Sequence, residues 1–215
     1  LSSGRRAGQR FDASHGVTTE ALIFLGELDP EAIGPNLEFA THYEATPVAD
    51  IDALLDASGL NPERTTLVDL GSGMGRVVLR AAARPFRQII GVEISPALHE
   101  VAKENRRAYR GPLACTDLRL VRADAAAFAF PRGDLAVYLY NPFRADVLAP
   151  VVDRLAQNPR REVTILYHTP VERAVLDAHP AFALAADLGF GVVYRSTRAA
   201  LNKEVPVERR ILGGA

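Results

Sequence analysis

A single cysteine, Cys115, and five scattered histidines leave the chain without an internal disulfide or a thiolate and imidazole cluster for a metal. That inventory suits a reducing compartment, and a cytoplasmic protein without a bound metal is expected. No apolar run reaches the length of a signal peptide or a membrane span, and the Arg5-Arg6 pair near the start is followed by none. No membrane partner is expected. With 25 basic and 26 acidic side chains the formal net charge is -1, so no global field draws the chain onto nucleic acid. A strong basic stripe, an aromatic stacking platform, internal repeats, low-complexity tracts and an interior linker are also missing. What is there is 215 residues, 48% hydrophobic and 24% charged, the make-up of one globular domain with a continuous core. A monomer or homodimer is expected. Leu1 stands where a native start would have methionine, and the first ten or so residues read as a flexible lead-in.

From Ala21 to Leu28, leucines three apart predict a short helix ended by Asp29-Pro30. Thr46 has the chemistry of an N-cap, with Pro47 in the first helical position, Val48, Ile51, Leu54 and Leu55 on one face and Gly59 as the stop. Thr65 to Leu70 is β-rich and apolar, as a strand covered on both faces must be. Glycines follow at once, then a helix from Arg76 to Arg84. The rhythm repeats: strand Gln88 to Glu93, a helix capped by Ser95-Pro96 and closed by Gly111, then strands Leu118 to Ala123 and Leu135 to Tyr140. A helix over Val147 to Leu155 must hold Pro150 in its first turn or kink there, and Val163 to Tyr167 is a fifth strand. Thr169 and Glu172 have the spacing of a capping box for a short helix to about Ala178. Phe182 to Leu188 and Val192 to Thr197 read as an antiparallel hairpin at the sheet edge, with Val205 to Leu212 as the alternative last strand.

Alternating strands and helices predict a doubly wound α/β fold, whose ligands bind beyond the carboxyl ends of parallel strands. There the first strand of the series delivers Asp69 and the turn Gly71-Ser72-Gly73-Met74-Gly75. Small residues let a ligand approach the main chain, although a glycine turn alone is also an ordinary strand-to-helix connection. The dinucleotide fingerprint needs its third glycine at position 76, which is Arg76, so a nicotinamide site is disfavoured. Glu93 ends the next strand between apolar Val92 and Ile94, where an unpaired carboxylate is costly and a ribose offers two hydroxyls to it. Asp124 closes the third strand, either as acceptor for an exocyclic amino group or as cap of the turn after Ala123.

The run from Val68 to Leu79 closely resembles motif I of the class I, seven-stranded S-adenosylmethionine-dependent methyltransferases. Gly91-Val92-Glu93 resembles their ribose-binding strand end, and Asp124-Ala125 their acidic position beside adenine. The resemblance runs from about Thr46 to Thr197 and implies a mostly parallel seven-stranded sheet with a terminal antiparallel hairpin. It divides the chain into a lead-in with a small helical cap over residues 1–45 and a methyltransferase domain over residues 46–215. It also implies S-adenosyl-L-methionine as cofactor, with the methionine moiety near Asp69, Gly71, Ser72, Gly73 and Gly75, ribose at Glu93, and adenine by Asp124 and Ala125. His42 to Pro47 resembles a segment that folds over the methionine end, bringing Tyr43 and Thr46 to its carboxylate.

Tyr140-Asn141-Pro142-Phe143 resembles the Asn-Pro-Pro-Tyr/Phe signature of enzymes that methylate amino or amide nitrogen, without its second proline. The resemblance makes Asn141, the Pro142 carbonyl and Phe143 the groups that orient a nitrogen of a protein, nucleic acid or small molecule. As a bare turn, Asn-Pro with a packing phenylalanine needs no such role. Glu44 is a candidate for removing the proton of a lysine acceptor, and His168 a rim residue. The rival readings are an aminopropyl transferase on the same fold, which lacks an obvious carboxylate pair here, and a non-catalytic module that binds the cofactor.

Overall fold

The computed structural model describes residues 3–24, 42–140, 143–157 and 162–197. Its centre is a sheet formed by β3 (Thr66–Leu70), β4 (Gln88–Glu93), β5 (Leu118–Arg122), β6 (Leu135–Tyr140), β7 (Val163–His168), β8 (Phe182–Asp187) and β9 (Gly191–Ser196). The spatial order is β5-β4-β3-β6-β7-β9-β8, and only β9 runs against the rest. This is the expected seven-stranded sheet with its antiparallel terminal hairpin. The alternative last strand at Val205 to Leu212 lies outside the described residues.

Both faces of the sheet are covered, which is why its strands are near-continuous apolar runs. Successive residues alternate between two cores. Val68, Leu70, Val137 and Leu139 pack with Leu148, Val151 and Val152 of α5 (Ala145–Ala156) and Leu176 of α6 (Arg173–Asp177). Leu67, Ala136 and Tyr138 pack on the other face with α2 (Val48–Ser58) and α3 (Arg76–Ala81). α4 (Pro96–Ala108) follows β4, its N-terminus capped by Ser95 Oγ accepting from the Leu98 N–H at 3.3 Å. Gly59 closes α2 in a left-handed C-cap, as its sequence predicts. Among the described residues no helix is long and apolar enough to cross a membrane.

Several local expectations are corrected. The start of the chain is not a flexible lead-in: α1 runs over Ser3–His15, with Phe11 buried against Val17, Leu79 and Tyr109. The helix expected from Ala21 to Leu28 is replaced at its start by β1 (Leu22–Phe24), which pairs antiparallel with β2 (His42–Glu44). Residues 25–28 lie outside the described residues. Thr46 does not cap α2. Pro47 holds that position without a side-chain bond, because the Thr46 carbonyl accepts from Arg76 at 3.3 Å and the Thr46 hydroxyl faces Tyr138. The capping box at Thr169 and Glu172 does not form: α6 begins at Arg173, and the Thr169 hydroxyl binds His168 instead. Pro150 lies past the first turn of α5, leaving the Asp146 carbonyl without its helical donor.

Candidate active site

Three adjacent parallel strands bring the predicted residues to one edge. β3, β4 and β5 all end there, so the turn after Leu70, the carboxylate of Glu93 and the bend after Arg122 are neighbours. The N–H groups of Gly71 and Ser72 both donate to the Val92 carbonyl, each at 2.9 Å, and the Ala123 N–H donates to the Glu93 carbonyl at 3.0 Å. Gly71 and Gly75 take positive φ angles of 80° and 89°, the second setting the entry to α3. Gly73 combines a φ of 51° with the close approach of Tyr43: a Cβ there would stand 2.1 Å from the ring.

Glu93 is 6% exposed, and its two oxygens accept from the Gly73 N–H at 2.7 Å and the Ser95 N–H at 2.8 Å. Burial pushes its pKa up and those N–H groups pull it back. Asp69 lies one strand over, 3% exposed, and burial together with the nearby Glu93 charge pushes its pKa up to about 8. Its Oδ2 and the Ser72 Oγ are buried without a hydrogen-bond partner among the described residues. Such atoms are uncommon in native interiors, and a bound polar group is one way to satisfy them. At the third strand end, Asp124 Oδ1 accepts from the Ala126 N–H at 2.8 Å, so it does cap the local turn, and Ala125 is buried beside it.

The N-terminal elements cover the glycine turn. Tyr43 donates to the Thr19 carbonyl at 2.7 Å and packs with Met74, Leu98 and Ile23. They are held there by Arg76, a residue whose role the sequence did not disclose. At 2% exposure its Nε donates to Thr19 Oγ1 at 2.7 Å, its Nη1 to Glu20 Oε2 at 2.8 Å, and its Nη2 lies 3.6 Å from Asp12 Oδ1. Asn105 on α4 adds a second clasp, its amide donating to the carbonyls of Thr18 at 2.8 Å and Met74 at 3.0 Å. No periodic pattern in the sequence marks these polar contacts.

The fourth and fifth parallel strands complete the edge. Asn141 and Pro142 lie outside the described residues; Phe143 is half-buried against the α5 face of the sheet. Tyr140, which sequence reasoning passed over, donates to Glu44 Oε2 at 2.9 Å. Beside it His168 is 5% exposed, with Nε2 at 3.0 Å from Asp50 Oδ2 and Nδ1 at 3.0 Å from Thr169 Oγ1. It is therefore a buried, bonded group and not the rim residue expected. Among the described residues no three histidine, cysteine or carboxylate side chains converge as a metal site.

This geometry meets the comparisons with known proteins. Residues 67–161 match the family model described as a methyltransferase domain, from β3 through the end of α5. The match spans less than half of the chain and likens that stretch to a methyltransferase domain. None of the curated proteins matches it. An RNA methyltransferase from Salinibacter ruber, in complex with S-adenosyl-L-homocysteine, shares 24% identity at a TM-score of 0.52, over 76% of this chain and 97% of that one. TrmN from Thermus thermophilus shares 21% at 0.53, over 68% and 48%. A predicted N6-adenine-specific DNA methylase from Listeria monocytogenes shares 15% at 0.55, over 71% and 51%. The last two are matched over about half their length, and at these identities the likeness is one of fold.

Proposed function

We propose that this chain is an enzyme that moves the methyl group of S-adenosylmethionine onto an amine or amide nitrogen of a protein, nucleic acid or small molecule. The observation that carries the reading is the Glu93 carboxylate, buried yet fixed by the Gly73 and Ser95 N–H groups beside the unpartnered atoms of Asp69 and Ser72. Each Glu93 oxygen has a further lone pair for a ribose hydroxyl. In this reading Asp69 and the Gly71 to Gly75 turn, including Ser72 and Gly73, hold the methionine end, where the raised proton affinity of Asp69 yields to a bound cation. Asp124 and Ala125 flank the adenine. Tyr43 and Thr46 close over the methionine end, and Tyr43 excludes water by its packing on Gly73.

The bound cofactor supplies a methyl carbon on a cationic sulfur, so the protein needs to align a nucleophile and keep the site dry. Asn141, the Pro142 carbonyl and Phe143 follow directly on Tyr140 and are assigned the acceptor nitrogen, on the strength of their resemblance to the nitrogen-methylating signature. Calorimetry with S-adenosylmethionine tests the reading through Glu93→Ala and Gly73→Arg. Both are expected to abolish measurable binding, and unchanged affinity in both ends the assignment. Tritiated-methyl labelling of fractionated lysate, scored separately for protein, RNA and small molecules, then identifies the acceptor; background labelling in every fraction would favour a non-catalytic binding module.

A further inference from the structure

Beyond the glycine turn, the carboxyl ends of β6 and β7 carry a polar cluster that cofactor binding does not use. Tyr140 follows Leu139, the partner of Leu70, and so stands level with Gly71 at the point where the strand order turns back on itself. Its hydroxyl donates to Glu44 Oε2 at 2.9 Å, and the Thr169 hydroxyl lies within hydrogen-bonding reach of the Tyr140 oxygen. Its ring meets His168 edge-on, with centroids 4.5 Å apart. His168 is bonded at both nitrogens, to Asp50 and Thr169, which fixes the Thr169 hydroxyl. Thr169 has a φ of 47°, a conformation that a β-branched side chain adopts only under constraint. Its N–H donates to the Phe190 carbonyl at 2.8 Å and its own carbonyl accepts from Val171 at 2.8 Å, so the strained turn is held from both sides. Strain of this kind gathers at functional sites.

Carboxylates predominate in the cluster. Glu44, Asp50 and Asp69 are its acids and His168, 3.0 Å from Asp50 Oδ2, its one imidazole, and burial raises the pKa of the Tyr138 and Tyr140 phenols, with Asp69 acting next on the first and Glu44 on the second. Arg5 of α1 and Glu44 line one cavity of about 280 Å³, and the Arg5 Nε lies 3.8 Å from Glu20 Oε1. A phenol that donates to a carboxylate is left with lone pairs as its free function and is the stronger acceptor for it.

We infer that this cluster is the methyl-acceptor end of the site and selects an alkyl amine that arrives protonated. The inference rests on the methyltransferase reading above and deepens it. Tyr140 Oη accepts one N–H of the ammonium group and directs it. The Glu44 carboxylate takes one proton, so that R–NH₃⁺ and carboxylate become R–NH₂ and carboxylic acid, and the nitrogen lone pair is freed. Thr169, His168 and Asp50 are positioning residues that hold Tyr140 in place.

Calorimetry tests this without knowledge of the acceptor. The two ligands are S-adenosylhomocysteine and sinefungin, the analogue with a carbon-borne amine where the methylated sulfur stands. In the wild-type chain sinefungin is expected to bind about tenfold tighter, the worth of one charge-assisted hydrogen bond. Glu44→Gln and Tyr140→Phe are each expected to bring the two affinities within about twofold, while S-adenosylhomocysteine affinity and the circular dichroism spectrum stay put. A preference for sinefungin that survives in both variants, or that the wild-type chain never shows, overturns the amine assignment and leaves the methyltransferase reading standing. Failure of the wild-type chain to bind S-adenosylhomocysteine overturns both.

Discussion

Replacing Asp69 with asparagine should make the protein more stable as pH rises, against the usual direction for a lost carboxylate. Asp69 sits at the tip of the central strand with burial and Glu93 raising its pKa from 3.8 to about 8. The folded chain therefore keeps a proton that the unfolded chain gives up in the ordinary carboxylate range. Between that range and pH about 8 the unfolded state binds fewer protons, so stability falls as pH climbs, by about 1.4 kcal/mol per pH unit for one group. From pH 5 to pH 7 the gain of the Asp69→Asn variant over wild type should grow by about 2 to 3 kcal/mol, as an order of magnitude. His99, lowered by burial, titrates in both chains and drops out of the difference, whereas Glu93 is coupled to Asp69 by charge, so the loss of that coupling is part of what the variant reads. Urea unfolding at pH 5, 6 and 7 reads it, followed by far-ultraviolet circular dichroism because the chain has no tryptophan. Two stability curves that run parallel over this window would refute a protonated, buried Asp69.

Gly73→Ala brings a Cβ to 2.1 Å from the Tyr43 ring at a positive φ, so a loss of about 1 to 3 kcal/mol is expected in thermal melts, with part returned by adding Tyr43→Ala. Arg76→Met takes the guanidinium from Glu20 and Thr19 while Asp12 keeps its Thr19 and Glu20 donors, and should cost about 1 to 3 kcal/mol; limited proteolysis should then cut within α1 before the sheet is touched. Glu93→Gln sets an amide donor against one of two backbone N–H donors, and a drop of about 1 to 3 kcal/mol in urea unfolding is expected without any ligand present.

The strands were legible because their causes are local. Gln88–Glu93 and Leu135–Tyr140 stand where their sequences place them, since a strand covered on both faces has to be an unbroken apolar run. The glycine turn was legible for the same kind of reason: positive φ and a close approach leave few residue types that fit. The helix Ser3–His15 was not, because its apolar content is small and its anchor is a bond between Asp12 and Arg76, far apart in the chain. Leu22–Phe24 reads as a helical fragment until its antiparallel partner His42–Glu44 is present. Thr169 has the spacing of a cap, yet the hydroxyl that would have capped α6 is taken by His168.

The succession of strands and helices from Val48 onward, and the acidic residues at the carboxyl ends of those strands, were written in neighbouring residues, because hydrophobic patterning and glycine geometry act over a few positions. Only the folded chain decided that burial raises the Asp69 pKa, that Arg76 clasps the N-terminal helix, and that Tyr140, Glu44, Thr169, His168 and Asp50 form one cluster. Those facts come from desolvation and polar contacts between segments distant in sequence, and neither exists until the segments meet.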